Sequence, residues 1–395
     1  MPSNLVVSVP NSLQSQINAI APNPLDMGYD IILCAGQSNM TGRGVYDASV
    51  DITSGRIFQF GGSASSDARY STIYQAQDSL SHAQAISASY FSGTWHIGPS
   101  MNFARNYATQ IPRTRKVLLV PCAWGGTALV NSVWSPFGVA SPGSVSPSIT
   151  TSGLIQSGGL YENAISQANK AITAAKIEFP ESRFVGVLWV QGESDGINNV
   201  DEATYAANLD ALITGFRTRI DGAANSWFII GQMVPECISY YSGMPAIDSA
   251  HVKTLSRLER IGLALNISGQ SNNDNLHYNA VGQRVMGSRM AQQVQSAKYN
   301  IIGTKPVQVP LAPVITVTTD SAHLSWEAPK CRVIEYIVKY KLSSDSTWTN
   351  VNTGSPYRRY TVSGLTPGLS YDFKIDTVNE IGTSFYSSPI KTIVI

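Results

Sequence analysis

Asp30-Ile31-Ile32-Leu33-Cys34-Ala35 runs directly into Gly36-Gln37-Ser38-Asn39-Met40. A short apolar run ending on glycine suits a buried parallel strand, which is covered on both faces. The signature recurs at Arg56–Phe60, Lys116–Ala123, Arg183–Gln191 and Ser226–Val234. Between these runs, Tyr161, Ala164, Ile165, Ala168, Ile172 and Ala175 follow helical spacing, as do Tyr205, Leu209, Leu212, Ile213, Phe216 and Ile220. Val252, Leu255, Leu258 and Ile261 predict a further helix, and Val281 to Val294 a last one. Buried strands alternating with amphipathic helices predict an α/β fold, a doubly wound parallel sheet with helices on both faces. Ser135 to Gly159, rich in Ser, Gly, Thr and Pro, reads as a long surface loop.

Working outward, residues 1–28 are polar and broken by Pro10, Pro22 and Pro24, which reads as a leader or attachment segment. The α/β pattern fills 29–300, and a Pro-rich linker occupies 301–311. Residues 312–395 change texture to short alternating strands at Ala322–Trp326, Glu335–Tyr340, Tyr360–Leu365 and Ser370–Val378, the rhythm of a small all-β sandwich. Trp326, Tyr340, Leu365-Thr366-Pro367-Gly368 and Tyr371 together resemble a fibronectin type III domain. That resemblance implies that Tyr371 forms a corner tying its strand to the preceding loop.

Bulk properties exclude several classes of partner. With a formal net charge of +1 and 13% charged residues, the chain offers no general electrostatic attraction for nucleic acid or an anionic membrane. No stretch approaches the roughly 18 apolar residues that span a bilayer. The N-terminus lacks the charged start and apolar core of a signal peptide. Cys34, Cys122, Cys237 and Cys331 are far apart without metal-binding spacing, and Cys34 and Cys122 lie in apolar runs, so they read as core residues.

The chemistry gathers at strand ends, where doubly wound sheets bind ligands. Ser38 follows the first strand and begins a helix, so its hydroxyl faces a cleft or caps the helix; its N–H lies where an oxyanion would form. Asp274-Asn275-Leu276-His277 supplies a base and, three residues earlier, a carboxylate to orient it. The alternative is a turn histidine capping the helix that follows. Ser38 does not sit in a G-x-S-x-G elbow, which disfavours the α/β-hydrolase fold. After the strand at Lys116, the paired glycines Gly125 and Gly126 of AWGGT allow close backbone approach to a substrate, or simply make a tight turn. After the strand at Arg183, WVQGESD brings the Gln191 amide to the same edge. Glu193 and Asp195 read as acceptors holding loops, and Arg43 as a sugar contact or a structural partner of one of these acids. No metal motif is present, and no cofactor is expected.

GQSNM, AWGGT, QGESD and DNLHY, in this order and with HIGPSMNFAR at His96–Arg105, resemble the SGNH hydrolases. Within them the blocks are similar to the sialate O-acetylesterase and acetylxylan esterase group, over residues 30 to 297. The resemblance implies Ser38 as nucleophile, His277 as general base and then acid, and Asp274 as its orienter. It implies an oxyanion hole of the Ser38 and Gly125 N–H groups with Gln191; beside these, Gln37, Asn39, Arg43, Gly126 and Glu193 are candidate supporting or substrate contacts. The expected substrate is an acetylated carbohydrate. Competing readings are an esterase fold used only for carbohydrate or receptor binding, and a lipolytic SGNH esterase. A fibronectin-like tail without a visible signal peptide suggests action outside the cell or within a virion, with attachment to a larger assembly through the N-terminal segment or the tail.

Overall fold

The computed structural model describes residues 26–61, 69–83, 96–138, 159–304, 306 and 310–395. Most of the expected leader, most of the Ser135–Gly159 loop and part of the linker lie outside the described residues. In chain order the first elements are β1 (Gly28–Gly36), α1 (Ser38–Thr41), β2 (Gly44–Val45), β3 (Ile57–Phe60), β4 (Ile73–Gln75), β5 (His96–Ile97), α2 (Pro99–Ala108) and β6 (Arg115–Pro121). There follow α3 (Gly159–Glu178), β7 (Arg183–Val190), α4 (Glu193–Ile197), α5 (Glu202–Arg219), β8 (Trp227–Gly231), α6 (Pro235–Tyr240), α7 (Met244–Arg257), β9 (Ile261–Ala264) and α8 (Ala280–Tyr299).

These strands form one sheet in the order β4-β3-β6-β1-β7-β8-β9. All neighbours are parallel except the edge pair β3 and β4. On one face α2 packs against α8, which lies over β8 and β9; on the other, α3 covers β1 and β6 while α7 joins α5 and β9. Every residue of β1 is buried, as its uninterrupted apolar run requires. The chain reaches β6 on one side of β1 and then crosses to β7 on the other. The carboxyl end of β1 is therefore a topological switch point, where a crevice opens. At the opposite end, buried Asp30 accepts from Arg115 Nε (2.7 Å), Arg183 Nε (3.0 Å) and Tyr107 Oη (2.8 Å), which binds β1 to both neighbouring strands and to α2.

One expected helix is too long. α7 ends at Arg257, and Ile261 opens β9 instead of closing a helical stripe. Arg260, at φ 56°, turns the chain between them, with its N–H on Asn300 O and its carbonyl accepting from Phe228. The i, i+3 spacing continues by coincidence across that turn.

The tail forms a sandwich from β10 (Val314–Val317), β11 (Ser321–Ser325), β12 (Glu335–Leu342), β13 (Thr349–Asn352), β14 (Arg359–Ser363), β15 (Ser370–Asn379), β16 (Gly382–Thr383) and β17 (Lys391–Val394). One sheet is β10-β11-β14; the other is β13-β12-β15-β16, with β17 also on β15. Trp326, Tyr336, Val338, Phe373 and Ile375 fill its core. Tyr371 Oη accepts from Thr366 N–H at 3.1 Å, which closes the tyrosine corner.

The sandwich is docked on the β9 edge of the large sheet by two buried arginines. Arg358 donates to Leu263 O at 2.6 Å. Arg332 donates to Asn300 Oδ1 (3.1 Å) and to the carbonyls of Leu255, Ser256 and Leu258 at the end of α7, with Glu380 as its ion partner at 3.1 Å. A cation there satisfies carbonyls that have no helical partner and complements the helix dipole. Arg332→Ala in the full-length chain should cost about 2–3 kcal/mol and lower the thermal unfolding midpoint by about 5 °C, as measured by calorimetry.

Candidate active site

The site begins with a close approach of backbones. Gly36 has φ 139°, and a Cβ there would lie 2.1 Å from Val190 O on β7. This is a conformation and a space that only glycine tolerates. Gln37 N–H bonds Val190 O at 2.9 Å, and Trp124 N–H bonds Gly36 O at 3.1 Å, so the ends of β6, β1 and β7 are tied at one point. Gln37 occupies the N-cap position of α1 and makes no side-chain cap. Ser38 follows it, almost fully buried, and its Oγ lies 2.9 Å from His277 Nε2.

His277 stands in the loop between β9 and α8. Asp274 Oδ1 accepts from the N–H groups of Leu276 (2.9 Å) and His277 (2.8 Å), and its Oδ2 lies 2.7 Å from His277 Nδ1. Asn273 and Asn275 adopt the left-handed backbone that this tight loop needs, at φ 62° and 53°; asparagine tolerates that region better than other side chains. Partial burial works against the Asp274 carboxylate, but the hydrogen bonds from His277 and Leu276 prevail and hold it below the ordinary carboxylate range. A charged carboxylate can only accept, so Nδ1 carries its hydrogen toward Asp274 and Nε2 offers a lone pair to the serine.

Asn39 clamps the histidine from both sides. Its Oδ1 accepts from Tyr278 N–H (2.9 Å), and its Nδ2 donates to Leu276 O (3.0 Å) and to Glu193 Oε1 (2.5 Å). Glu193 is fully buried, and burial pushes its pKa up against the opposing bond from Asn39. Asp195, also buried, receives the N–H groups of Leu129 and Val130, both at 2.9 Å, and so fixes the segment after AWGGT. Arg43 donates to Thr41 Oγ1 and Gly42 O, both at 2.7 Å, while its own carbonyl accepts from Asn272 at 3.0 Å. Gly125 is half-buried beside the Trp124 tie, and exposed Gly126 turns at φ 72°.

The oxyanion role expected of Gln191 is not what its geometry provides. The side chain is wholly enclosed, its Oε1 accepts from Tyr205 Oη at 2.8 Å, and its Nε2 faces Asp195 Oδ2 (2.5 Å), Thr127 O (3.2 Å) and Gln37 Oε1 (3.3 Å). Two amide hydrogens set against three acceptors leave none for a substrate. Gln37 is arranged the other way round. Its Oε1 accepts from Ser194 N–H and Gln191, both at 3.3 Å, which turns its Nε2 away from both; that nitrogen has no acceptor among the described residues and is not sealed from solvent.

Supporting residues from distant segments complete the site. His82 Nδ1 accepts from Ala123 N–H at 3.1 Å and holds the start of AWGGT. Tyr205 bridges Gln191 to His251 Nε2, 2.9 Å away. Neither histidine had a local partner to mark it. Burial, reinforced by the Arg43 charge, pushes His82 down to about 3; burial, reinforced by Arg257, does the same to His251. Both are neutral supports.

Two outcomes follow from this geometry. Glu193→Ala frees the Asn39 clamp, and should lower kcat by about tenfold or more, with 1–3 kcal/mol of stability lost, whereas Glu193→Gln keeps an acceptor and most of both. Steady-state kinetics and urea denaturation check this. For His82, the folded value lies below an unfolded value of about 6.5, so its contribution to stability is complete above that pH and is lost as pH falls toward the folded value. His82→Asn retains an acceptor and cannot protonate. Its urea midpoint should therefore fall less steeply than that of the wild type between roughly pH 6.5 and 4.

The family described as carbohydrate esterase, sialic acid-specific acetylesterase, matches residues 28–296, and the fibronectin type III family matches residues 308–393. A probable 9-O-acetyl-N-acetylneuraminic acid deacetylase of Escherichia coli K12 is 24% identical over 148 residues, 36% of this chain and 41% of its own length. A probable carbohydrate esterase of Arabidopsis thaliana is 28% identical over 122 residues, 31% of this chain and 36% of its own length. A titin homolog of Caenorhabditis elegans matches at 27% identity over 28% of this chain and 1% of its own length. The chain thus spans less than half the length of each of these relatives. Among solved structures, that of NanS is similar at 16% identity with a TM-score of 0.49, covering 69% of this chain and 97% of its own. The chain belongs to the sialic acid-specific acetylesterase family of carbohydrate esterases, and carries a fibronectin type III domain behind it.

Proposed function

We propose that the protein is a serine esterase that removes O-acetyl groups from an acetylated carbohydrate. The observation that carries this reading is the Ser38 Oγ–His277 Nε2–Asp274 chain, at 2.9 and 2.7 Å, on the carboxyl edge of the sheet. In the proposed reaction His277 Nε2 takes the Ser38 proton as Oγ attacks the acetyl carbonyl, and Asp274 stabilises the imidazolium. His277 then gives that proton to the departing sugar oxygen as its bond to the acetyl carbon breaks, which frees a sugar hydroxyl and leaves acetyl on Ser38. Water, deprotonated by the same nitrogen, attacks that ester, and the proton passes to Ser38 Oγ as acetate leaves. The oxyanion donors in this reading are the N–H groups of Ser38 and Gly125, with the outward Nε2 of Gln37 as side-chain donor in place of Gln191. The similarity to a probable 9-O-acetyl-N-acetylneuraminic acid deacetylase of Escherichia coli supports an acetylated sugar as the substrate class. Attachment to a larger assembly through the fibronectin domain, and action outside the cell, belong to the same proposal.

The test is acetate release from p-nitrophenyl acetate and from acetylated glycans. Ser38→Ala should lose about 10³-fold or more in kcat with an unchanged circular dichroism spectrum and melting midpoint. Retention of more than about a tenth of the activity would remove Ser38 from the nucleophile role.

A further inference from the structure

The fibronectin domain meets the esterase domain around a cavity of about 340 Å³ that neither forms alone. Asp248, Ser249 and Val252 line it from α7, and Thr353, Tyr357, Arg359 and Tyr360 from the sandwich. Because α6 and α7 follow the carboxyl end of β8, the first turns of α7 lie on the same edge of the sheet as Ser38 and His277. A second cavity of about 580 Å³ shares Arg359 and Tyr360 in its wall and extends to Ile267 and Ser268, in the segment that leads into the Asp274–His277 loop.

The chemistry of the smaller cavity is specific. Asp248 has one carboxylate oxygen anchored by Gln232 Nε2 at 3.0 Å, and the same nitrogen donates to Tyr357 Oη at 3.1 Å. The other Asp248 oxygen has no hydrogen-bond partner among the described residues and is not sealed, so it faces the cavity as a free acceptor. Arg359 lies 5.9 Å over the Tyr357 ring and is tethered to Asn266 O at 2.5 Å, which fixes both groups. One carboxylate, one guanidinium, two phenol rings and small hydroxyls make a wall that is neutral overall. Fixed acceptors and donors match the hydroxyls of a sugar, and aromatic faces match its C–H surface.

We propose that this junction cavity is a glycan-binding subsite, which holds one sugar residue of a polymer while the acetyl group of another is presented to Ser38. This rests on the proposal that the protein deacetylates carbohydrate. The cavity is connected to the reaction centre by a short path: Tyr357 bonds Gln232, whose carbonyl accepts from Tyr278 Oη at 3.0 Å, and Tyr278 adjoins His277. A polymer is therefore engaged by both domains, and a small ester by one.

The full-length protein and its Asp248→Ala and Ser249→Trp variants are compared on p-nitrophenyl acetate, acetylated xylan and O-acetylated polysialic acid. The first variant removes the acceptor and the second fills the space. The ratio of kcat/KM on the polymer that the wild type cleaves to that on the aryl acetate should fall about tenfold or more in each variant, through KM. An equal ratio in all three proteins overturns the subsite. A wild type inactive on every ester overturns the esterase reading instead. The subsite is then decided by calorimetric titration of full-length protein with deacetylated xylan and polysialic acid oligosaccharides: binding lost in both variants supports it, and binding that is absent or unchanged overturns it.

Discussion

The side-chain amide of Asn39 is the constraint on which the site turns. A serine and a histidine separated by 239 positions in sequence meet within hydrogen-bonding distance only if the loop carrying the histidine is pinned to the helix carrying the serine. Asn39 does this by bonding the residues on both sides of His277, while Glu193 holds Asn39 from behind. The sheet brings the segments near one another, but backbone packing alone leaves a loop of this length free to shift. Fixed amide geometry removes that freedom, because oxygen and nitrogen are each committed to a different side of His277. Burial of Glu193 makes the arrangement stringent, since among the described residues the one side-chain donor to its carboxylate is the group it must hold.

This explains which parts were legible in the sequence. β1 and the GQSN turn were readable because an unbroken apolar run ending in glycine has few other uses. The Asp274–His277 pair was readable because both partners lie within one short loop. The misplaced helix end at Leu258 and Ile261 came from a periodicity that crosses a turn, and a left-handed Arg260 leaves no mark in composition. His82, Tyr205 and His251 were invisible for a different reason. Their partners are Ala123 and Gln191, on other segments, and no local pattern encodes such pairings.

Gln191 shows how a location legible in the sequence leaves a side chain's bonding open. Its strand end does reach the edge where the chemistry lies, yet the neighbours that arrive from other segments decide what its amide can do. Asp195, one helical turn later, Thr127, from the segment after β6, and Gln37, from the end of β1, share its two hydrogens. Gln37 then becomes the amide with an outward end, because the Ser194 N–H takes its oxygen. The two glutamines form a relay in which the buried one orients the outer one. In the proposed mechanism such an arrangement supplies a rigid donor beside Ser38 without a charged group, and rigidity is what gives an oxyanion donor its value, since nothing reorganises when charge develops.

The same economy governs the junction between the domains. An edge strand such as β9 presents carbonyls with no neighbour, and the end of α7 presents more. Arg358 and Arg332 from the sandwich satisfy both sets, so the fibronectin domain completes the sheet edge as well as extending the chain. The docking has a geometric consequence. Arg358 is bound on β9 and Arg359 immediately follows it, so the residue that caps the edge also fixes the wall of the junction cavity. A sandwich held by a flexible linker alone could not keep Tyr357 and Arg359 at a constant distance from Asp248. Two anchored guanidinium groups can, and they turn a covalent tandem of domains into one surface with the active-site edge on it.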